Sequence, residues 1–229
     1  MIYQIADLNV IVPEAGGMAP RCQAYLTDQD KTADICIDST CYKLHMWQNL
    51  TYEQACYMES GYLFYAHLLQ YDGIMLHASA LAYNGKAFLF SGPSTVGKST
   101  HTRQWQQTFG DAVEVFNDDK PALRCIDGEW YAYGTPWCGK DGINSNRKAP
   151  LGGICFLKQS AQNRIRRLSA AEALAMCMSQ IQRFTKPGNV EKQLALLDKL
   201  VRSVPVWELE NHPGEEAVRL SCATMYSEE

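Results

Sequence analysis

The sequence has no run of apolar residues approaching the roughly eighteen that a membrane-spanning helix needs. No two cysteines have C-x-x-C spacing, and the closest pair, Cys36 and Cys41, lies five apart. A zinc ribbon or a thioredoxin-like redox motif is therefore not expected, although the chain holds nine cysteines. The start, MIYQIADLNVIVPEAGG, lacks a basic leader followed by a long apolar stretch, so it does not read as a secretory signal. Reduced thiols in a cytoplasmic protein are the expectation. Positive charge is not in excess either: 21 Lys and Arg stand against 25 Asp and Glu, a net −4. That balance argues against a nucleic-acid coat and against attraction to an anionic membrane. Internal repeats, low-complexity tracts and extended linkers are missing as well.

What is present suits one sizeable α/β domain, or one domain with a small appendage, since 229 residues at 46% hydrophobic can bury a substantial core. Residues 1–50 carry short β-like runs (Tyr3 to Ile11, Ala33 to Ile37, Tyr42 to Trp47) among turns. They are predicted to be a small β-rich appendage or the leading strands of the main sheet, with residues 51–229 forming the main domain. Thr51 and Gln54 have capping-box spacing at the head of a helix that Asp72-Gly73 ends. Ile74 to Tyr83 and Lys86 to Phe90 read as strands joined by Asn84-Gly85, a dipeptide suited to a tight type I′ turn. A helix is expected from Thr100 to Phe109, then a strand from Val113 to Phe116 and a hairpin about Asp127-Gly128. Further along come a buried strand at Ala149 to Gln159 and another at Arg164 to Leu168. Ser169 and Glu172 predict a helix running to about Phe184, and Lys186-Pro187-Gly188 a chain break. A helix from Val190 to Val201, a strand from Val204 to Leu209 and a helix from Gly214 to Ala223 complete the chain. Many hairpins with helices gathered late predict a mixed, largely antiparallel sheet with flanking helices.

One segment carries chemistry in its spacing. Gly92-Pro93-Ser94-Thr95-Val96-Gly97-Lys98-Ser99 fits G-x-x-x-x-G-K-[ST] in full, and Thr100 follows it. Glycines let the backbone curl about phosphate oxygens, and successive N–H groups form an anion nest that the following helix N-terminus reinforces. Lys98 then suits the β- and γ-phosphates of ATP and Ser99 a Mg²⁺ ion. Asp118-Asp119 ends a short strand about twenty residues later. Carboxylates so placed can hold the metal or accept the proton of an attacking hydroxyl. Asp118, Asp119, His77 and Lys98 are accordingly the expected catalytic residues, with Ser99 and Asp119 as metal ligands. Trp137, Cys138, Gly139 and Lys140 form a loop with an aromatic plate and a cation, read as an acceptor or closing loop. Arg164, Arg166 and Arg167 read as a solvated face, and His101 as structural.

Taken together, LHASALAYNGKAFLFSGPSTVGKST followed by NDDK resembles the catalytic domain of HPr kinase/phosphorylase. It is most similar to the short HPr-kinase-like proteins that often accompany peptide-modification systems, over about residues 74–158. The resemblance implies the fold of the phosphoenolpyruvate carboxykinase nucleotide domain, with ATP and Mg²⁺ used to phosphorylate a serine-type hydroxyl. It matches His77 to the family's strand histidine, Lys98 and Ser99 to its phosphate-loop pair, and Asp118-Asp119 to its acidic pair. The full-length kinases form hexamers, which leaves a homo-oligomer open here. Two departures stand out. Ala78 replaces the glycine after the histidine, and Ala132 to Trp137 replaces a Glu-Ile-Arg-Gly-Leu-Gly element. Neither the reverse reaction nor HPr itself as substrate is therefore carried over. A nucleotide-sensing module without transfer is the competing expectation, and carboxykinase-like decarboxylation a weaker one.

Overall fold

The structure, a computed structural model, describes residues 1–12, 18–37 and 49–226. The hairpin at the centre of the fold follows from two residues. Asn84 and Gly85 take φ of 47° and 83°, the pair of positive values a type I′ turn requires. They join β5 (Ala78–Tyr83) to β6 (Lys86–Ser91) in register from Ala78↔Ser91 to Tyr83↔Lys86. Asp127 and Gly128 do the same, at 51° and 91°, between β8 (Ala122–Ile126) and β9 (Glu129–Tyr133). With β4 (Gly73–Met75), β7 (Val113–Asn117) and β10 (Lys148–Gln159), these strands lie in the order β4-β8-β9-β10-β6-β5-β7. β12 (Val206–Asn211) pairs with β10, and β11 (Arg164–Arg167) with β12, completing a nine-stranded sheet. Among the described residues of this sheet only β10–β6 and β10–β12 pair in parallel, so the sheet is mixed and largely antiparallel as the hairpins predict.

Both faces of the sheet are covered, and strand alternation sorts the side chains between them. Leu81, Phe88, Phe90, Cys155 and Leu157 point to one face, where Trp105 of α3 (Lys98–Phe109) and Val218 of α6 (Glu215–Tyr226) close over them. Ala80, Leu89, Ile154 and Phe156 point to the other. There they meet α2 (Tyr52–Leu68), α4 (Ala170–Ser179) and α5 (Pro187–Ser203) through Phe64, Cys177 and Leu197. Burying each such large side chain contributes on the order of 2 kcal/mol, so the sheet is pinned from both sides. A separate three-stranded sheet, β1 (Ile2–Ile5), β2 (Leu8–Ile11) and β3 (Ile35–Cys36), with the short helix α1 (Met18–Cys22), shares the second core through Tyr3, Ile5, Val10 and Met18. Arg124 of β8 donates to the Ala6 carbonyl at 2.6 Å, and Lys148 pairs with Asp7 at 2.6 Å, tying the two sheets together. Among the described residues no helix is long and apolar enough to cross a membrane.

Several elements depart from expectation. The run from Tyr3 to Ile11 is two strands, because Ala6 and Asp7 turn the chain with positive φ. Ile74 to Tyr83 is likewise broken at Leu76-His77, where the backbone turns to pair with residues after α4: Leu76 bridges Ile181 and the His77 N–H donates to the Gln180 carbonyl. That same pairing draws the chain out of helix after Ser179, short of Phe184. Pro187 does not break the chain but starts α5, since a first-turn proline loses no helical hydrogen bond. The capping boxes at Thr51–Gln54 and Ser169–Glu172 both form. Arg166 pairs with Glu208 and Glu172, and Arg167 lies over the Trp207 ring, a solvated sheet face as expected. The β-run expected at Tyr42 to Trp47 lies outside the described residues.

Candidate functional site

The glycine-rich loop leaves the buried strand β6 and enters α3 within seven residues. Gly92 and Gly97 take φ of 140° and 109°, values an L side chain adopts only with strain, so the tight path needs glycine at both. Thr95 also has positive φ, and its carbonyl accepts from the Gln159 side chain at 3.2 Å. Lys98 curls back along the loop, donating to the carbonyls of Gly92 (2.9 Å) and Pro93 (3.2 Å). Burial pushes its ammonium below the ordinary lysine range, and the Asp119 charge partly offsets this. In front of the helix N-terminus lies a cavity of about 290 Å³, walled by Gly97, Lys98, Ser99, Arg103, Lys140 and Asp141. Behind the loop, α3 is locked by its own polar core. Trp105 Nε1 donates to both His101 Nε2 (3.2 Å) and Ser221 Oγ (3.1 Å), and His101 is fully buried.

The acidic pair is presented by a turn that Asn117 builds at the end of β7. Its Oδ1 accepts from the backbone N–H groups of Asp119 (3.0 Å) and Lys120 (2.7 Å). Its amide donates to the Thr135 carbonyl at 3.1 Å, inside the protein. Consecutive residues of the turn face different ways. Asp118 Oδ1 accepts from the Gly139 N–H at 2.6 Å and shares a small crevice with Ser99, Arg103 and Asp141. Burial raises its pKa, and the Gly139 hydrogen bond only moderates the effect. Asp119 instead meets His77 Nε2 at 3.1 Å and forms an ion pair with Lys120. A carboxylate only accepts, so Nε2 carries the proton of that contact. Burial opposes ionisation of Asp119, but hydrogen bonds from His77 and Lys120 outweigh it and hold its pKa at about 2. His77 and Asp119 open onto a second cleft, of about 420 Å³, which Lys120 and residues 179–183 also line.

His77 thus sits not within a strand but at the break between β4 and β5, held there by its neighbours. Ser91 donates to its carbonyl at 2.8 Å, and Nδ1 lies 3.1 Å from Gln180 Oε1. The break aims the ring at Asp119 rather than into a strand's neighbour. Ser99 and Asp119, expected together as metal ligands, line different cavities; Asp118 is the carboxylate that accompanies Ser99. Trp137 offers no exposed plate. It is fully buried, stacked on Phe64 at 4.7 Å, with Nε1 donating to Ser60 and its ring pressed on Gly61, where a Cβ would come within 2.9 Å. Its large apolar area makes the core the favourable place for it. Cys138 is buried too, its sulfur accepting from Arg21 at 3.1 Å, while Gly139 clamps Asp118 and Lys140 reaches the loop cavity. Lys120, Tyr57, Gln180, Arg103 and Asp141 were not anticipated. Only Lys120 had a local signal, its place directly after the acidic pair.

Fold and site together define a mixed α/β protein in which a glycine-rich strand-to-helix loop faces a split pair of aspartates. The chain belongs to the family described as SynChlorMet cassette protein ScmC, which matches residues 43–210. No curated protein matches it. Among solved structures, the HPr(Ser) kinase/phosphatase from Coxiella burnetii is similar over 66% of this chain and 92% of its own. At 13% identity and a TM-score of 0.37, that likeness is too loose to say what this chain does.

Proposed function

We propose that the chain is an ATP- and Mg²⁺-dependent kinase that transfers the γ-phosphoryl group to a hydroxyl of serine type, in a peptide, a protein or a small molecule. The observation that carries this reading is that Asp118 and Asp119 straddle two cavities. Asp118 lines a crevice that shares Ser99, Arg103 and Asp141 with the Lys98 cavity, and Asp119 lines the open cleft with His77. A triphosphate seated on residues 92–100 would place its terminal phosphate toward that boundary, and a hydroxyl in the cleft would approach from the other side. The order of elements shared with HPr kinase, hairpin then loop then Asp-Asp, supports the same assignment.

The donor set suits magnesium. Ser99 and Asp118 offer hard oxygens on one crevice, and among the described residues no cluster of three or more His, Cys, Asp or Glu could hold a metal without the nucleotide. Magnesium is commonly bound in this way, by one or two protein oxygens together with phosphates and water. When bound it would neutralise charge on the phosphates. The remaining work falls to the chain's own residues. Backbone N–H groups and Lys98 hold the triphosphate, which requires Lys98 to leave the Gly92 and Pro93 carbonyls. The acceptor oxygen bonds to the γ-phosphorus while the bond to the bridging oxygen breaks, its electron pair leaving on the nucleoside diphosphate. The acceptor proton passes to Asp119. A carboxylate with a pKa of about 2 is a weak base. A loose phosphoryl-transfer transition state asks more of positioning than of base strength.

The test is incubation with γ-labelled ATP, Mg²⁺ and a panel of serine-containing peptides, free serine and sugars. Transfer is expected in the wild type. Asp119→Asn is expected to reduce it by about 10² to 10⁴-fold while ATP affinity stays within about threefold. A second reading, nucleotide sensing without transfer, draws on the engagement of Asp119 by His77 and Lys120. A wild type that binds ATP yet labels no member of the panel and releases no phosphate would decide for it.

A further inference from the structure

We infer that Lys120 is a positioning residue of the transfer site, holding the Asp119 carboxylate aimed at the cleft, and that Tyr57 of α2 sets the lysine in place. The inference rests on the kinase reading and adds to it two residues that neither the motifs nor the resemblance assign. Lys120 is fixed at both ends. Its backbone N–H donates to Asn117 Oδ1, and its carbonyl accepts from the Tyr65 hydroxyl at 2.5 Å and the Thr135 hydroxyl at 2.8 Å. The side chain then runs back across Tyr57, with Nζ 5.2 Å from the ring centre and 3.3 Å from the hydroxyl oxygen. That hydroxyl donates its own proton to the Cys138 carbonyl at 2.7 Å, which leaves its lone pairs facing the ammonium. From this seat Nζ pairs with Asp119 Oδ2, while His77 takes Oδ1.

Each carboxylate oxygen thus has its own cation-bearing or N–H partner, one from the next residue of the same turn and one from the break between β4 and β5, and the group cannot rotate about its terminal bond without losing one of them. Lysine here is a point charge on a flexible stem, so alone it would not define a direction. The tyrosine supplies the direction through a ring face for the charge and an acceptor for one N–H. The side chains of Lys120 and Asp119 are 29% and 21% exposed, and both line the cleft rather than the outer surface. An ordinary surface ion pair would be exposed and free to exchange partners.

Turnover is measured with γ-labelled ATP and the best acceptor of the panel, or water where only phosphate release is seen. ATP binding is followed separately by calorimetry. Lys120→Met keeps the apolar stem and removes the charge; it is expected to slow turnover by about tenfold or more, with ATP affinity within about threefold. Lys120→Arg is expected to restore part of the loss, and Tyr57→Phe to slow turnover several-fold, again without change in ATP affinity. Turnover of Lys120→Met within about twofold of wild type overturns the inference, as does a loss of ATP affinity that matches the loss of turnover. Where Lys120→Met does not fold by circular dichroism, Tyr57→Phe decides, and unchanged turnover there overturns the inference. A wild type without any turnover overturns the kinase reading and this inference with it. Normal wild-type turnover with indifferent variants overturns this inference alone.

Discussion

The cavity at the glycine-rich loop and the cleft at Asp119 lie on either side of one turn but are built in different ways. The loop cavity is almost entirely local: residues 95–103 supply most of its wall, and α3 sets their path. The cleft is assembled from segments far apart in the chain, namely Met75 and His77, the 119–120 turn, and residues 179–183, with Tyr57 behind. A local site depends on one helix being seated. An assembled one depends on every element that delivers a wall. The loop of residues 134–147 joins the two, because Gly139 holds Asp118 and Cys138 holds both Tyr57 and Arg21.

Trp137 is where the largest effect is expected. Truncating a fully buried tryptophan removes contacts that no neighbour can replace, and Trp137→Ala should lower unfolding free energy by about 3–5 kcal/mol in a urea titration. At a temperature where the variant still folds, transfer should fall much further than ATP affinity, since the loop that Trp137 anchors supplies only Lys140 and Asp141 to the wall of the loop cavity. Equal losses in both would show that the two regions are one mechanical unit.

His101 probes the local side alone. Its imidazole is fully buried, and burial lowers its pKa from 6.5 to about 4. The folded chain therefore resists a proton that the unfolded chain accepts. The contribution of this residue is whole above about pH 6.5, declines as pH falls toward 4, and levels off below, a loss of about 3 kcal/mol in all. His101→Leu should flatten that stretch of the stability–pH curve, read from melting temperatures between pH 7 and 4. The exchange leaves Trp105 satisfied, because its Nε1 keeps Ser221 Oγ at 3.1 Å. A slope unchanged by the substitution would place the titrating group elsewhere.

The same contrast explains what could be read in advance. The loop, the Asn84-Gly85 and Asp127-Gly128 turns and both capping boxes are short-range patterns, and each is present where its spacing put it. Asp118 and Asp119 were visible as a pair. Their division of labour was not, because it depends on Gly139 reaching one and on His77 and Lys120 reaching the other. The break at His77 had no local sign, since Ile74 to Tyr83 is apolar throughout apart from His77 and Ser79 and reads as one strand. Only pairing with residues from another part of the chain interrupts it. Trp137 misled for a related reason: a glycine- and proline-rich loop suggests exposure, and nothing local announces Gly61 and Ser60 waiting beneath it.

The smallest effect is expected where the joining loop meets the local site at its rim. Arg103 of α3 pairs with Asp141 at 3.3 Å, with 57% and 30% of the two side chains exposed. A pair so wet is screened by salt and gives back much of its attraction in side-chain entropy. Asp141→Asn should therefore change unfolding free energy by less than about 1 kcal/mol, and raising the salt concentration should erase even that. The loop is anchored well away from this contact, through Cys138, Asn144 and Ser145, which is why losing its tip should not loosen it. A destabilisation of several kcal/mol on urea titration would mean that the tip, not the buried anchor, holds the loop against α3. The loop cavity would then be as much an assembled site as the cleft.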